Sequence, residues 1–157
     1  MKFLLLPALL VTASFALADP NATGIWKVSY VNSQPASGGP KTIGDMILDL
    51  KVEGKTVGGR VVIGMWPGPA PISDGKIEGD HITFTAMGHL DSSTGIPTCK
   101  FDVTIEGDKL HVALSAIKNS AWLPGYSFNY IGTRRTISQL TKREAYSLSL
   151  SERPHIP

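Results

Sequence analysis

The chain has 157 residues, with 15 basic and 13 acidic side chains and a formal charge of +2. This is a single-domain length, and the lack of any basic block or aromatic–basic interleaving excludes nucleic acid as the expected partner. The lone cysteine excludes an internal disulfide, and the 42% apolar fraction supplies one core but no membrane face.

Residues 1–18 read as a signal peptide. Lys2 is a short positive region, Phe3 to Phe15 is apolar, and Ala16-Leu17-Ala18 is a small-x-small cleavage site before Asp19. The apolar run is shorter than the ~20 residues a spanning helix needs. The expectation is therefore cleavage after Ala18 and a soluble secreted or periplasmic protein with no membrane span after cleavage. No cysteine lies near the site, which argues against a lipoprotein anchor. About 139 residues then remain. Asn21-Ala22-Thr23 is a glycosylation sequon that matters only in a eukaryotic host.

From residue 24 to 136, Val, Ile, Thr, Phe and Tyr recur with period two. Strands are expected at about 24–31, 43–53, 56–64, 72–78, 81–87, 99–106, 109–116 and 126–136. Beyond Thr136 the pattern changes. Ser138 to Ala145 suits a short helix, Tyr146-Ser-Leu-Ser-Leu alternates like a strand, and Arg153 to Pro157 should fray. Domain 19–136 is thus a β-barrel and 137–157 a C-terminal tail or helix.

A tetrad recurs between these strands: Val52-Glu53-Gly54-Lys55, Ile77-Glu78-Gly79-Asp80 and Ile105-Glu106-Gly107-Asp108. Glycine-containing tight turns join antiparallel strands. With Glu-Gly as the central pair, Leu50 faces Val57, Gly75 faces Ile82, and Phe101 faces Val112. Apolar side chains then share one face, while Asp49, Lys51, Arg60, Lys76, His81, Thr83, Lys100, Asp102, Thr104 and His111 share the other. The connections at 32–42, 64–71, 88–98 and 117–125 are long and rich in Gly, Pro and Ser. In an up-and-down order they gather at one end and the tight turns at the other. The expected fold is all-β: an eight-stranded antiparallel up-and-down barrel, a cup with a closed base and an open mouth.

Gly24-Ile25-Trp26 opens the first strand near the closed end, and Arg134-Arg135 ends the last strand there. The pattern resembles the calycin group of barrels (lipocalins, fatty-acid-binding proteins, avidins). Their first strand carries Gly-x-Trp, and in lipocalins a last-strand arginine packs across that tryptophan. By strand parity Arg134 is the matching residue. The resemblance implies structural roles for Gly24, Trp26 and Arg134, and a helix outside the barrel after the last strand. The lipocalin disulfide is missing. The chain is also similar to small exported bacterial β-barrel proteins that carry Gly-x-Trp and repeated Ile-x-Gly-Asp hairpins.

The inward face collects Trp26, Val28, Tyr30, Met46, Leu48, Phe84, Cys99, Phe101, Leu110, Phe128, Tyr130 and their apolar neighbours, without a carboxylate, lysine or histidine. Such an interior suits either a packed core or a pocket for an apolar ligand. Trp66, between prolines in the 64–71 loop, and Trp122, followed by Tyr126, stand at the mouth. Aromatics on stiff loops lose little freedom on binding, and they serve equally as a plug over the opening. The candidate ligand-binding residues are Trp66, Trp122 and Tyr126 at the rim, with Tyr30, Phe84 and Phe128 below.

Other chemistry is weaker. His89, Asp91, Ser92, Ser93 and Cys99 cluster in sequence, but nothing in their spacing enforces a nucleophile–base pair or an oxyanion hole. Cys99 has core parity. His81 and His111 point outward with one strand between them, about 10 Å apart and too far to share an ion; His89 and His155 add no ligand spacing. No cofactor, metal site or catalytic residue is assigned. The leading reading is an exported lipocalin-like binding protein for a small apolar or amphipathic molecule. The alternative is a protein-interaction module that works through the loops at 64–71 and 117–125.

Overall fold

The computed structural model describes residues 22–31, 44–64, 66, 68–88, 98–118 and 127–150. The signal peptide, the sequon Asn21, the 32–42 loop, Trp122, Tyr126, His89, His155 and the 153–157 tail lie outside these residues.

Eight strands follow one another: β1 (Gly24–Tyr30), β2 (Met46–Glu53), β3 (Thr56–Ile63), β4 (Ala70–Glu78), β5 (His81–Met87), β6 (Thr98–Glu106), β7 (Lys109–Lys118) and β8 (Ser127–Arg135). Each pairs antiparallel with the next, and β8 returns to β1 to close the barrel. The closing seam runs from Ile25 opposite Arg135 to Tyr30 opposite Tyr130. Closure leaves no strand edge unpaired.

The turns differ from the expected ones by one residue. Glu53 pairs with Thr56, Glu78 with His81 and Glu106 with Lys109. Gly54-Lys55, Gly79-Asp80 and Gly107-Asp108 are therefore the central pairs. The glycines have φ of 61°, 62° and 58°, and the residues that follow stay out of the positive-φ region. Glycine first, with positive φ at that position alone, is the type II′ pattern, whose twist matches the strands it joins. Glu-Gly at the centre would have asked glutamate for that conformation. The correction moves each partner by two residues, so Leu50 faces Gly59 and Phe101 faces Leu114. A shift of two preserves parity, and the inward set stands.

That set is the core. Trp26, Val28, Leu48, Leu50, Val61, Ile82, Phe101, Val103 and Leu110 have no exposed surface, and no polar or charged side chain is buried among the described residues. β4 departs from regular pairing between Ser73 and Lys76, where Asp74 has a φ of 53°.

The base is sealed by the segment before β1. The Trp26 indole N–H donates to the Ala22 carbonyl at 2.9 Å, and Ala22 is fully buried. Arg134 lies 4.4 Å over the Trp26 ring and donates to the Thr23 carbonyl at 2.7 Å. Gly24 makes this possible. Its φ is 140°, and a Cβ there would stand 3.0 Å from the Arg134 guanidinium. The Gly-x-Trp motif and the last-strand arginine thus form one assembly.

After β8, a short 3-10 turn (Ile137–Gln139) leads into helix α1 (Lys142–Ser149). The alternation at Tyr146–Leu150 does not make a strand. Thr141 and Glu144 close a capping box that starts the helix: the Thr141 N–H donates to the Glu144 carboxylate at 2.8 Å, and its hydroxyl accepts from the Glu144 N–H at 3.3 Å. The helix covers apolar side chains on the outside of the barrel, with Leu148 packed against Ile47 and Val62, and Ile25 and Leu140 beside them. Lys27 and Glu144 pair at 3.0 Å across this contact.

Candidate functional site at the open end

The described ends of β1, β3, β5 and β7 all lie opposite the three tight turns, so the long connections leave from one rim. Most of their residues lie outside the described set; Trp66 does not. Its backbone N–H donates to the Ile63 carbonyl at 2.8 Å, which closes a turn straight after β3. Its side chain is 8% exposed and belongs to the main core cluster. The indole occupies the space in front of Gly88, just past β5, where any Cβ would overlap it. A loop tryptophan is thus folded inward over the β3–β5 side of the mouth.

Below it, small inward side chains alternate with Ile63 and Ile72. Ala86 pairs with Cys99, and Ala70 faces Val61. The opposite side, formed by β8 and β1, is aromatic. Tyr30 and Tyr130 face each other in register, with ring centroids 5.5 Å apart and edge-on. Phe128 stands 6.5 Å from Tyr30. Tyr130 and Phe128 are buried, whereas Tyr30 is partly exposed and packs against the core. One layer deeper, Phe84 stacks on Phe101 at 4.6 Å with planes 11° apart.

Of the six candidate ligand-binding residues, Tyr30, Phe128 and Trp66 line the open end, and Phe84 lies beneath them. Trp122 and Tyr126 are outside the described residues. Tyr130, Gly88 and the Phe101 partner of Phe84 were not singled out from the sequence. Strand parity carries the signal for the two aromatics. The Gly88–Trp66 contact joins positions across two connections, and no local pattern announces it.

Cys99 is buried, and burial pushes its thiol from the ordinary 9.0 up to about 11. A thiol raised in this way stays protonated at neutral pH, the reverse of an activated nucleophile. His89, Asp91, Ser92 and Ser93 lie outside the described residues. On the outer surface, Thr104 pairs with both His81 and His111 and so stands between them, as the strand order requires. Each histidine has its own carboxylate, His81 with Asp102 at 2.5 Å and His111 with Glu106 at 2.7 Å. Among the described residues no group of His, Cys, Asp or Glu has the arrangement of a metal site. A surface groove of about 290 Å³ crosses the same face, between Val31, Asp102, Thr104, His111, Asn129 and Ile131.

Comparison of the chain with protein-family models and with curated proteins finds no match.

Proposed function

We propose that this chain is an exported, calycin-like binding protein for a small apolar or amphipathic molecule held at the open end of the barrel. The observation that carries the reading is Trp66, a loop tryptophan folded inward over a mouth whose walls are apolar and uncharged. Loops placed on a rigid barrel are where binding residues collect, and aromatic surfaces held in advance lose little entropy on contact. The outward faces carry exposed Lys51, Lys76, Lys100 and His111. That is the inverse of a membrane-spanning barrel, which turns apolar side chains outward. Export rests on the leader at 1–18 and its site after Ala18.

The test is titration of the mature protein with a fluorescent apolar dye. Saturable binding that weakens in Trp66→Ala and Trp122→Ala, with the barrel still folded, supports the reading. Affinity unchanged in both variants removes these tryptophans from the site.

One observation favours a second reading, a module that binds another protein through its loops. Phe84, Phe101 and Trp26 are all buried inside the barrel, and the Phe84 and Phe101 rings stack on each other. In that case the dye finds no saturable site, and loop substitutions affect a protein partner instead.

A further inference from the structure

We propose a second binding site, on the outer wall of the barrel across β6, β7 and β8, that takes an uncharged polyhydroxylated ring the size of a single hexose. It does not depend on the binding reading above, because it is built from outward side chains that take no part in the mouth.

The site begins with a small residue. Ala113 is an outward position of β7, and its register partners are Asp102 on β6 and Asn129 on β8. Alanine is a poor strand former, and β-branched or aromatic side chains are favoured on a pleated surface. The Ala113 methyl leaves a depression between two longer side chains, whose backbones stand two inter-strand spacings apart, about 10 Å. The next outward row, Thr104, His111 and Ile131, bounds the groove toward the base. At the other end Val31, 45% exposed, follows β1, and its N–H donates to the Asn129 carbonyl at 3.1 Å. The groove holds about 290 Å³, close to the lower end of small-molecule sites at about 300 Å³. Helix α1 packs on Ile47 and Val62 of β2 and β3 and does not cover it.

The lining selects the class of ligand. Asn129 and Thr104 make no side-chain hydrogen bond among the described residues. An amide and a hydroxyl each offer both a donor and an acceptor. Asp102 meets His81 Nε2 through Oδ1 at 2.5 Å, and its second oxygen is a further acceptor. His111 is held by Glu106 through Nε2 at 2.7 Å. Neighbouring hydroxyl groups on a ring donate and accept in turn, and so match this mixed set. The C–H face of the same ring meets Ala113, Ile131 and Val31.

Charged ligands fit less well. Among the described residues no lysine or arginine lines the groove, so an anion would meet Asp102 unopposed. An ammonium group would gain one carboxylate that is 45% exposed and already engaged by His81. Ion pairs in such exposed positions contribute little.

The experiment titrates the isotope-labelled mature protein with glucose, galactose and myo-inositol, and with ethylammonium and acetate as charged controls, and follows amide shifts by NMR. At least one polyol is expected to shift the amides of residues 102–104, 111–113 and 129–131 saturably, and to bind more tightly than either ion. Ala113→Val fills the depression with a side chain that strands favour, so the barrel should fold while that polyol binds at least about tenfold more weakly. Asn129→Ala should weaken it about threefold to tenfold. Three polyols without saturable shifts at these amides overturn the inference. Tighter binding of either ion does so too, as does an affinity that ignores Ala113→Val. The wild-type titration decides the class even if a variant fails to fold, and the apolar dye reports on the mouth separately.

Discussion

The indole of Trp66 occupies the space into which any side chain at position 88 would project, so Gly88 and Trp66 fit only as a pair. The contact joins the connection after β3 to the end of β5, over β4, on one side of the mouth. A methyl group at Gly88 must push the ring outward. We expect Gly88→Ala to cost about 1–3 kcal/mol, as overpacking does. In a Trp122→Phe background it should shift tryptophan emission to the red. Unshifted emission would mean that the ring relaxes within the mouth.

At the closed end, Arg134 contributes a cation–π contact with Trp26 and a hydrogen bond to Thr23. Arg134→Ala should destabilise the fold by about 1–3 kcal/mol in urea unfolding. Arg134→Lys should recover only part of this, because a lysine lacks the planar fork that stacks and donates at once. Ligand binding at the far end should be unaffected by either change.

The helix on the outside is expected to come away without the barrel. Leu148→Ala removes the buried anchor against Ile47 and Val62, at a cost of about 1–3 kcal/mol for a site that is shallower than the main core. Protease should then cut within 140–150 while the β-sheet circular dichroism persists. Acid should act similarly. Burial pushes the Glu144 carboxyl up, but the hydrogen bonds from Thr141 and the Lys27 ammonium outweigh it, and the net shift is downward. A lowered folded pKa gives stability that is present at neutral pH and lost as pH falls through that value. Proteolysis of the helix should therefore accelerate on acidification in the wild type. Glu144→Gln should already be sensitive at neutral pH.

Cys99 makes the opposite prediction at the alkaline end. Its thiol titrates at about 11 in the folded protein against an ordinary 9.0. The stability this represents, about 2–3 kcal/mol, is complete below the unfolded value and is lost as pH rises through the folded one. Between those limits the wild type should lose stability faster than Cys99→Ala. At neutral pH a thiol reagent should label Cys99 only as fast as the protein opens. Prompt labelling of the native protein would contradict its burial.

Much of this architecture is legible in the chain because period two is a strong signal and a parity error is costly. Every inward residue named from the alternation is buried or packs against the core. The turn position was not legible: Glu-Gly and Gly-Asp are both plausible central pairs, and only the backbone shows that glycine comes first. The helix was legible in part. Ile25, Ile47 and Val62 have outward parity, and Ile47 and Val62 are directly paired. Apolar side chains together on an outer face mark a surface that something must cover, but their adjacency emerges only once the register is known. At the mouth, composition pointed to Trp66 and parity to Tyr30 and Phe128. The pairing with Gly88 brings together residues 22 positions apart in two different connections, which local sequence does not encode.

The most direct test of the central claim is native mass spectrometry of the mature protein, purified from its own source without detergent. The account predicts a discrete mass excess, lost on denaturation, of a size suited to one small apolar or amphipathic molecule. The bare chain mass alone would contradict it, and would favour a filled barrel that acts through its loops on another protein.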